Sequence, residues 1–509
     1  MLKKEGTNPM MMPMISTSRK WLALIIAISS MGCSDSMQHL AKTSPSSPWE
    51  RALIELLRDS SAVRPESLHS WCQVDDFYTL RNHRLLWYKD NKVSALADSM
   101  IAILADIEYS GLQPQDYHYD AISILAFRLQ NSKDDVYSVA HLDLLLTDAL
   151  FSVASHLKHG RVEPDSTGWR KRIIESDSVI LNTVTHRISR NRLSSALASL
   201  EPSSRTYKAL KGALKARLDS LKRLDSAIER EALEREVVDL SLSLEQLRWE
   251  SNTQEGRYLL VNIPAYRLTL MNDDSVEFES RIIVGAPYFP TPVLDGTITN
   301  FVTYPAWNVP RRIATRELLP QIRADSSYLA GHQYRVLDVY GNEVHPDSID
   351  WRSLGENYFP YLVQQIPGPY NALGLVKFNF VNSYNIYLHD TNARYLFSTK
   401  YRALSHGCIR VERALELARH LVSADNPWCS VNDFDRFLRE EASRQVNVIP
   451  VPLRIRYITC EALTDGTVVC HRDIYGLNVR LAEAINCRNA PPALAVNRIQ
   501  DSGQSDACL

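Results

Sequence analysis

At Arg257 the sequence changes its period. Upstream, apolar residues recur at helical spacing: "VSALADSMIAILADIEYSGL" stops at Gly111 and "VAHLDLLLTDALFSVASHLKHG" stops at Gly160. Downstream, "RYLLVNIPAYRLTLMNDDSVEFESRIIVG" alternates polar and apolar residues, is rich in β-branched and aromatic side chains, and carries an Asn-Asp-Asp turn signal. A chain that is helical first and β-rich second is an α+β protein with segregated parts. The early helices have broad apolar faces, so they pack on one another or on a neighbour, as a scaffold does.

The 509 residues suggest two to four domains, with no visible internal repeat. The mostly helical scaffold is expected over 49–202. Residues 203–249, with no proline and no glycine beyond Gly212, predict a charged connector of one or two exposed helices joined near Leu224 and Asp225. Their alternating charge reads as a solvated face. A β-rich domain follows at 250–440. A helical or irregular insert at about 311–365 interrupts its strands, and the helix "RALELARHLVS" comes after it. Residues 441–509 form a strand-turn-strand extension and tail. Lys and Arg number 57 against 59 Asp and Glu, a formal charge of -2, so no global basic field argues for nucleic acid.

The first residues address the chain. Arg19 and Lys20 precede an apolar run at 21–31 that is short for a bilayer span but has the size of a signal-peptide core. The run ends at Gly32-Cys33, ahead of a polar Ser/Pro-rich linker over 33–48. Residues 1–32 therefore resemble a bacterial lipoprotein signal with Cys33 as the lipidated residue, although Ser30 stands where leucine is usual. The start could be Met14, and an ordinary cleaved signal or a short anchor are the alternatives. Each of them exports the chain, to the periplasm or cell envelope. Export permits disulfides. Of eight cysteines, Cys460 and Cys470 flank a hairpin signal with Asp465-Gly466 at its turn, which would set them nearly opposite one another as a structural disulfide. No Cys or His cluster has metal-ligand spacing, so no zinc site is expected.

One cysteine has other company. "NIYLHDT" and "SHGCIRVERALELA" bring His389, Ser405, His406, Gly407, Cys408 and Arg410 into a short stretch. A catalytic thiol needs a base, because the thiolate is the reactive form. It also needs backbone N–H groups facing the oxyanion made when it attacks a carbonyl. A glycine before it lets the backbone bend and substrate approach. Tyr387 and His389 are two apart on a strand and share a face. His389 precedes Cys408 by 408 − 389 = 19 residues, while His406 is two residues away. Proximity favours His406 as the base, and spacing alone leaves the choice open.

This segment resembles the L,D-transpeptidase catalytic domain of the YkuD type, whose signature is a histidine, some fifteen residues, then Ser/Thr-His-Gly-Cys. It is most similar to the large YcbB-type branch, marked by "YLHDT", "PGPYNALGLVKFNF", an arginine after the motif and an inserted cap. The helical peptidoglycan-binding module usual in that branch has no counterpart here. The resemblance implies Cys408 as nucleophile and His389 as the group that transfers its proton. It leaves His406, with Ser405 and Gly407, to shape the oxyanion site, where the Gly407 and Cys408 N–H groups would donate. Tyr387 would line the donor groove, and Arg410 would meet a substrate carboxylate or form a structural ion pair. The implied reaction releases the terminal D-alanine of a peptidoglycan tetrapeptide stem, forms a thioester, and passes the acyl group to a second stem as a 3→3 cross-link, with no cofactor or metal. Carbapenem-type β-lactams would acylate the same cysteine. Water as acceptor would give an L,D-carboxypeptidase and a protein amine an anchoring enzyme. A non-enzymatic envelope scaffold would require Cys408 to be inert.

Overall fold

The computed structural model describes residues 47–58, 68–131, 135–165, 168–171, 177–189, 192–250, 256–273, 275–422, 426–463 and 465–485. The expected signal over 1–32, Cys33, nearly all of the 33–48 linker and the final tail lie outside the described residues. The chain divides into two compact units. The first comprises residues up to Ile107, Gln113–His156 and Ile173–Leu200; the second comprises Glu108–Leu112, Leu157–Arg172 and the chain from Glu201. The break expected at 202 is therefore crossed twice. The cause lies in the second unit, where buried Glu245 accepts the backbone N–H of Val162 at 3.1 Å and Arg161 donates to the Gly111 carbonyl at 3.3 Å.

The first unit is built around the helix Val136–His159, with Trp71–Leu80, Ala95–Ala105, Tyr119–Asn131, Ser178–Ser189 and Leu193–Ala198 among its other helices. That central helix is long and apolar enough to cross a membrane, yet 78% of its apolar window is buried inside the protein, as in a core helix. Its buried polar residues are answered by donors. Asp143 accepts from the Tyr78 hydroxyl at 2.6 Å and from the backbone N–H groups of Trp87 and Leu86 at 2.7 and 3.1 Å. Asp148 accepts from the Ser70 N–H and hydroxyl at 2.8 and 2.7 Å and pairs with His118 Nε2 at 2.8 Å. Burial still pushes Asp143 up to about 6. At Asp148 burial acts the same way, but hydrogen bonds from His118 and Ser70 outweigh it and hold the carboxyl below its ordinary value.

The second unit is organised by a closed sheet. In chain order its strands are β1 (Arg257–Asn262), β2 (Arg267–Asn272), β3 (Ser275–Gly285), β4 (Leu294–Thr303), β5 (Val376–Asn379), β6 (Leu388–His389), β7 (Ala403–Ser405), β8 (Ile409–Val411) and β9 (Arg444–Arg456). Their order is β7-β3-β8-β6-β5-β4-β9-β1-β2, and β2 also pairs with β3, so eight strands form a ring with β7 beside the end of β3. Closure removes the open edges that a sheet would otherwise expose. Alternate residues such as Leu259, Val261, Phe301, Phe378, Leu388 and Ile409 make its core.

Strand β9 corrects the boundary expected at 440. It lies between β4 and β1, antiparallel to one and parallel to the other, and so belongs to the ring. Prolines at 450 and 452 argue against a central strand, because proline cannot donate to a ladder. The sheet accommodates them with a register shift between Asn447 and Val451. Beyond it, Cys460–Ala462 pairs with Val468–Cys470, and a disulfide joins Cys460 to Cys470 directly opposite.

Two other expectations change. The connector is two helices, Arg205–Leu221 and Ala227–Trp249, but the second is not a solvated rod: Leu240, Leu244 and Leu247 pack with Tyr207, Leu210, Ile458 and Cys460. Charges recur along it, whereas apolar spacing at its end governs burial. The insert at 311–365 is not merely helical or irregular. Strands Trp307–Asn308, Tyr334–Leu337, Glu343–Val344 and Leu362–Gln365 form a four-stranded antiparallel sheet with a hydrophobic core of its own.

Candidate active site

Three adjacent strands assemble one row of side chains. His389 on β6 is the register partner of Lys377 on β5 and of Arg410 on β8. Residues opposite one another project from the same face. The alternation "LVKFNF" buries Val376 and Phe378 in the core and turns Lys377 the other way. "IYLH" does the same, burying Leu388 and turning Tyr387 and His389 together. The Tyr387 and His389 rings lie 5.6 Å apart, and the Lys377 ammonium sits 4.1 Å from the Tyr387 ring centroid. Among the described residues no carboxylate pairs with Lys377.

His389 is buried, and its Nδ1 lies 2.5 Å from the Asp390 carbonyl oxygen. A carbonyl only accepts, so Nδ1 carries the proton and Nε2 keeps its lone pair. Burial, the Arg410 charge and the Lys377 charge depress its pKa to about 3, against the opposing pull of the Asp390 hydrogen bond. The imidazole is therefore neutral at physiological pH.

Cys408 lies on the turn between β7 and β8. Burial raises its thiol pKa, while hydrogen bonding from the Tyr387 main chain and hydroxyl and the charges of Lys377 and Arg410 act in the opposite sense. Tyr387 is itself pushed up, by burial, by the nearby Cys408 and by its hydrogen bond to the sulfur; Trp307 opposes this by hydrogen-bonding to Tyr387. Among the described residues the thiol's hydrogen-bonding neighbour is thus Tyr387 rather than either histidine.

The turn is stapled from within. Ser405 is buried; its hydroxyl donates to the Cys408 carbonyl at 2.5 Å and accepts the Gly407 N–H at 3.2 Å. Gly407 has φ +109°, a conformation that favours glycine. The expectation that Gly407 N–H faces an oxyanion is therefore corrected, because Ser405 already takes that proton. His406 points elsewhere: its Nε2 meets Glu317 Oε1 at 2.8 Å and its ring lies 5.0 Å from Phe289, over which Arg312 stands at 4.6 Å. Glu317 belongs to a π-helical turn, Ala314–Leu318, in the insert. Arg410 is half-buried in the row beside His389. Lys377 and Trp307 were not singled out from the sequence. For Lys377 the signal was present, since strand alternation puts it on the face of His389, but pairing β5 with β6 required the register. Among the described residues no three His, Cys, Asp or Glu side chains converge as a metal ion would require.

The chain thus has two parts, a helical unit and a closed-sheet unit with a cysteine-bearing turn, and segments of it match known families. Residues 256–437 match the L,D-transpeptidase catalytic domain (YkuD), and residues 73–214 match the Scaffold domain. A Haemophilus influenzae protein named "Putative L,D-transpeptidase" is 40% identical over 250 residues, 48% of this chain and 49% of its own length. The chain thus spans about half the length of this curated relative. Among solved structures, an L,D-transpeptidase from Mycobacterium smegmatis is 15% identical, with a TM-score of 0.18 over 39% of this chain and 58% of its own. The crystal structure of Mycobacterium tuberculosis L,D-transpeptidase 1 is 13% identical, with a TM-score of 0.16 over 40% and 62%. At those scores neither likeness carries weight here.

Proposed function

We propose that the chain is an L,D-transpeptidase of the cell envelope that forms 3→3 cross-links through a Cys408 thioester. The observation that carries this reading is the row at β6, where a neutral histidine with a free Nε2 lies in register with Lys377 and Arg410 and beside Tyr387, the three residues that act on the Cys408 thiol, inside a segment that matches the L,D-transpeptidase catalytic family. In the first half-reaction the thiol proton passes to His389 Nε2 as sulfur bonds to the carbonyl carbon after the third stem residue. The C–N bond to the terminal D-alanine then breaks, and its amine takes the proton from His389. In the second, a side-chain amine of another stem attacks the thioester, His389 takes its proton, and the thiolate leaves and is reprotonated.

Burial that keeps both Cys408 and His389 neutral means that the proton moves with the attack rather than before it. The flanking charges of Lys377 and Arg410 favour the anionic sulfur and disfavour an imidazolium, which makes the protonated His389 a strong acid toward the leaving amine. The Cys408 N–H is the main-chain donor of the turn that would face the developing oxyanion. Catalytic hydrogen bonds often tighten only around a bound substrate, which accommodates the absence of a thiol–imidazole bond among the described residues.

Purified protein incubated with disaccharide-tetrapeptide and read by mass spectrometry tests this. Dimers lacking one D-alanine are expected. Tripeptide monomers alone would replace the cross-linking reading with an L,D-carboxypeptidase. No product, together with no carbapenem adduct on Cys408, would exclude both.

A further inference from the structure

The turn that carries Cys408 is gripped from outside by a hydrogen-bond chain that begins beyond the matched catalytic segment. Asp473 Oδ1 accepts from the Tyr457 hydroxyl at 2.5 Å and from the backbone N–H of Leu477 at 2.9 Å, at the start of the helix Leu477–Ala484. The Tyr457 hydroxyl oxygen accepts the Tyr475 N–H at 2.8 Å. The Tyr475 hydroxyl donates to the Gly285 carbonyl at 2.6 Å and accepts the Thr291 N–H at 3.2 Å. The Thr291 hydroxyl, in turn, accepts the Gly285 N–H at 2.9 Å and donates to the Gly407 carbonyl at 2.9 Å. Gly285 must be glycine for this approach. A Cβ there would strike the Phe289 carbonyl and lie 3.0 Å from the Gly407 Cα.

The end point of the chain decides its meaning. The carbonyl of Gly407 and the N–H of Cys408 are the two ends of one planar peptide group. Holding the oxygen fixes the direction of the hydrogen, and a hydrogen bond to the oxygen also polarises the N–H. With Gly407 N–H taken by Ser405, the Cys408 N–H is the main-chain donor the turn has left for an oxyanion. From this geometry we infer that Thr291, steadied by Tyr475, is a positioning residue that aims the Cys408 N–H at the oxyanion. The segment after β9, which lies outside residues 256–437, thereby takes part in the chemistry of the site. The inference rests on Cys408 being the nucleophile.

Two reactions of the same sulfur separate this role from a merely structural one. Acylation by a carbapenem joins sulfur to the lactam carbonyl carbon, breaks the ring C–N bond, sends the thiol proton to the ring nitrogen, and passes through an oxyanion. Alkylation by iodoacetamide displaces iodide and makes no oxyanion. In the full chain, Thr291→Val is expected to slow acylation about 10-fold, and Tyr475→Phe about 3-fold, since each weakens the aim of one donor without removing it. Alkylation rates should stay within about 2-fold of wild type in both. Thr291→Ser, which keeps the hydroxyl, should restore acylation. Wild-type acylation rates in both Thr291→Val and Tyr475→Phe would overturn this inference alone, as would acylation and alkylation falling together in Tyr475→Phe. A wild-type Cys408 that alkylates but never acylates would overturn the transpeptidase reading and this inference with it.

Discussion

Both units bury polar rows, and the rows are built on opposite terms. Along the helix Val136–His159, Asp143 and Asp148 are met by hydroxyl, amide and imidazole donors, so each acceptor is answered. Across β5, β6 and β8, buried His389 lies in register between two cations, and no carboxylate pairs with Lys377 among the described residues. The helix row satisfies its charges and reads as stability. The strand row crowds like-signed groups around a base, an arrangement that costs stability and shifts titration, as functional sites commonly do. Burial of polar groups is common to both; the mismatch of charge is what distinguishes the site.

The sharpest way to break this contrast is to remove the thiol that the cations of the strand row act on and one carboxylate of the helix row. Cys408→Ala should abolish carbapenem acylation and cross-linking while changing unfolding free energy by less than about 1 kcal/mol. Asp143→Ala should do the reverse. It strands the Trp87 and Leu86 N–H groups in the interior, at about 1 kcal/mol or more each, so the first unit should lose about 2 kcal/mol or more, while the Tyr78 hydroxyl keeps the Asp143 carbonyl and Thr147 as partners. Its rate of Cys408 alkylation should be unchanged. A stability loss in Cys408→Ala equal to that of Asp143→Ala would erase the distinction.

A smaller effect is expected in pH dependence. His389 has a folded pKa of about 3, below the ordinary histidine value that the unfolded chain recovers. Between those values the unfolded chain binds more protons, so stability of the second unit rises with pH from about 3 to about 6.5 and is lost as pH falls through that window. His389→Asn should flatten this part of the melting-temperature profile. An unchanged slope would mean that the imidazole is not held neutral.

The change of period at Arg257 made the segregated α+β order legible, and the turn motif located Cys408, because both are local properties. What stayed hidden depends on register or on distant partners. Strand β9 was obscured by prolines 450 and 452, which the sheet absorbs at a bulge. The end of Ala227–Trp249 looked solvated because charges recur along the helix, yet Glu245 and Arg248 are buried there with its leucines. Gly407 was read as an oxyanion donor because the preceding serine's hydroxyl cannot be placed from sequence. Proximity along the chain pointed to His406, whose ring meets Glu317 instead.

Lys377 gives the finest test of the mismatch. Burial lowers its pKa, so its charge is held at a cost, and the group that favours that charge is Cys408. Lys377→Met should therefore raise stability by about 0.5–1 kcal/mol, the usual size of such an exchange at a functional site. The same substitution removes a cation that lowers the thiol pKa, so the pH profile of Cys408 alkylation should move to higher pH by about half a unit. Lys377→Arg keeps the charge and should leave that profile in place. If Lys377→Met destabilised the protein and left the profile unmoved, Lys377 would be ordinary packing against Tyr387, and the strand row would differ from the helix row only in its choice of residues.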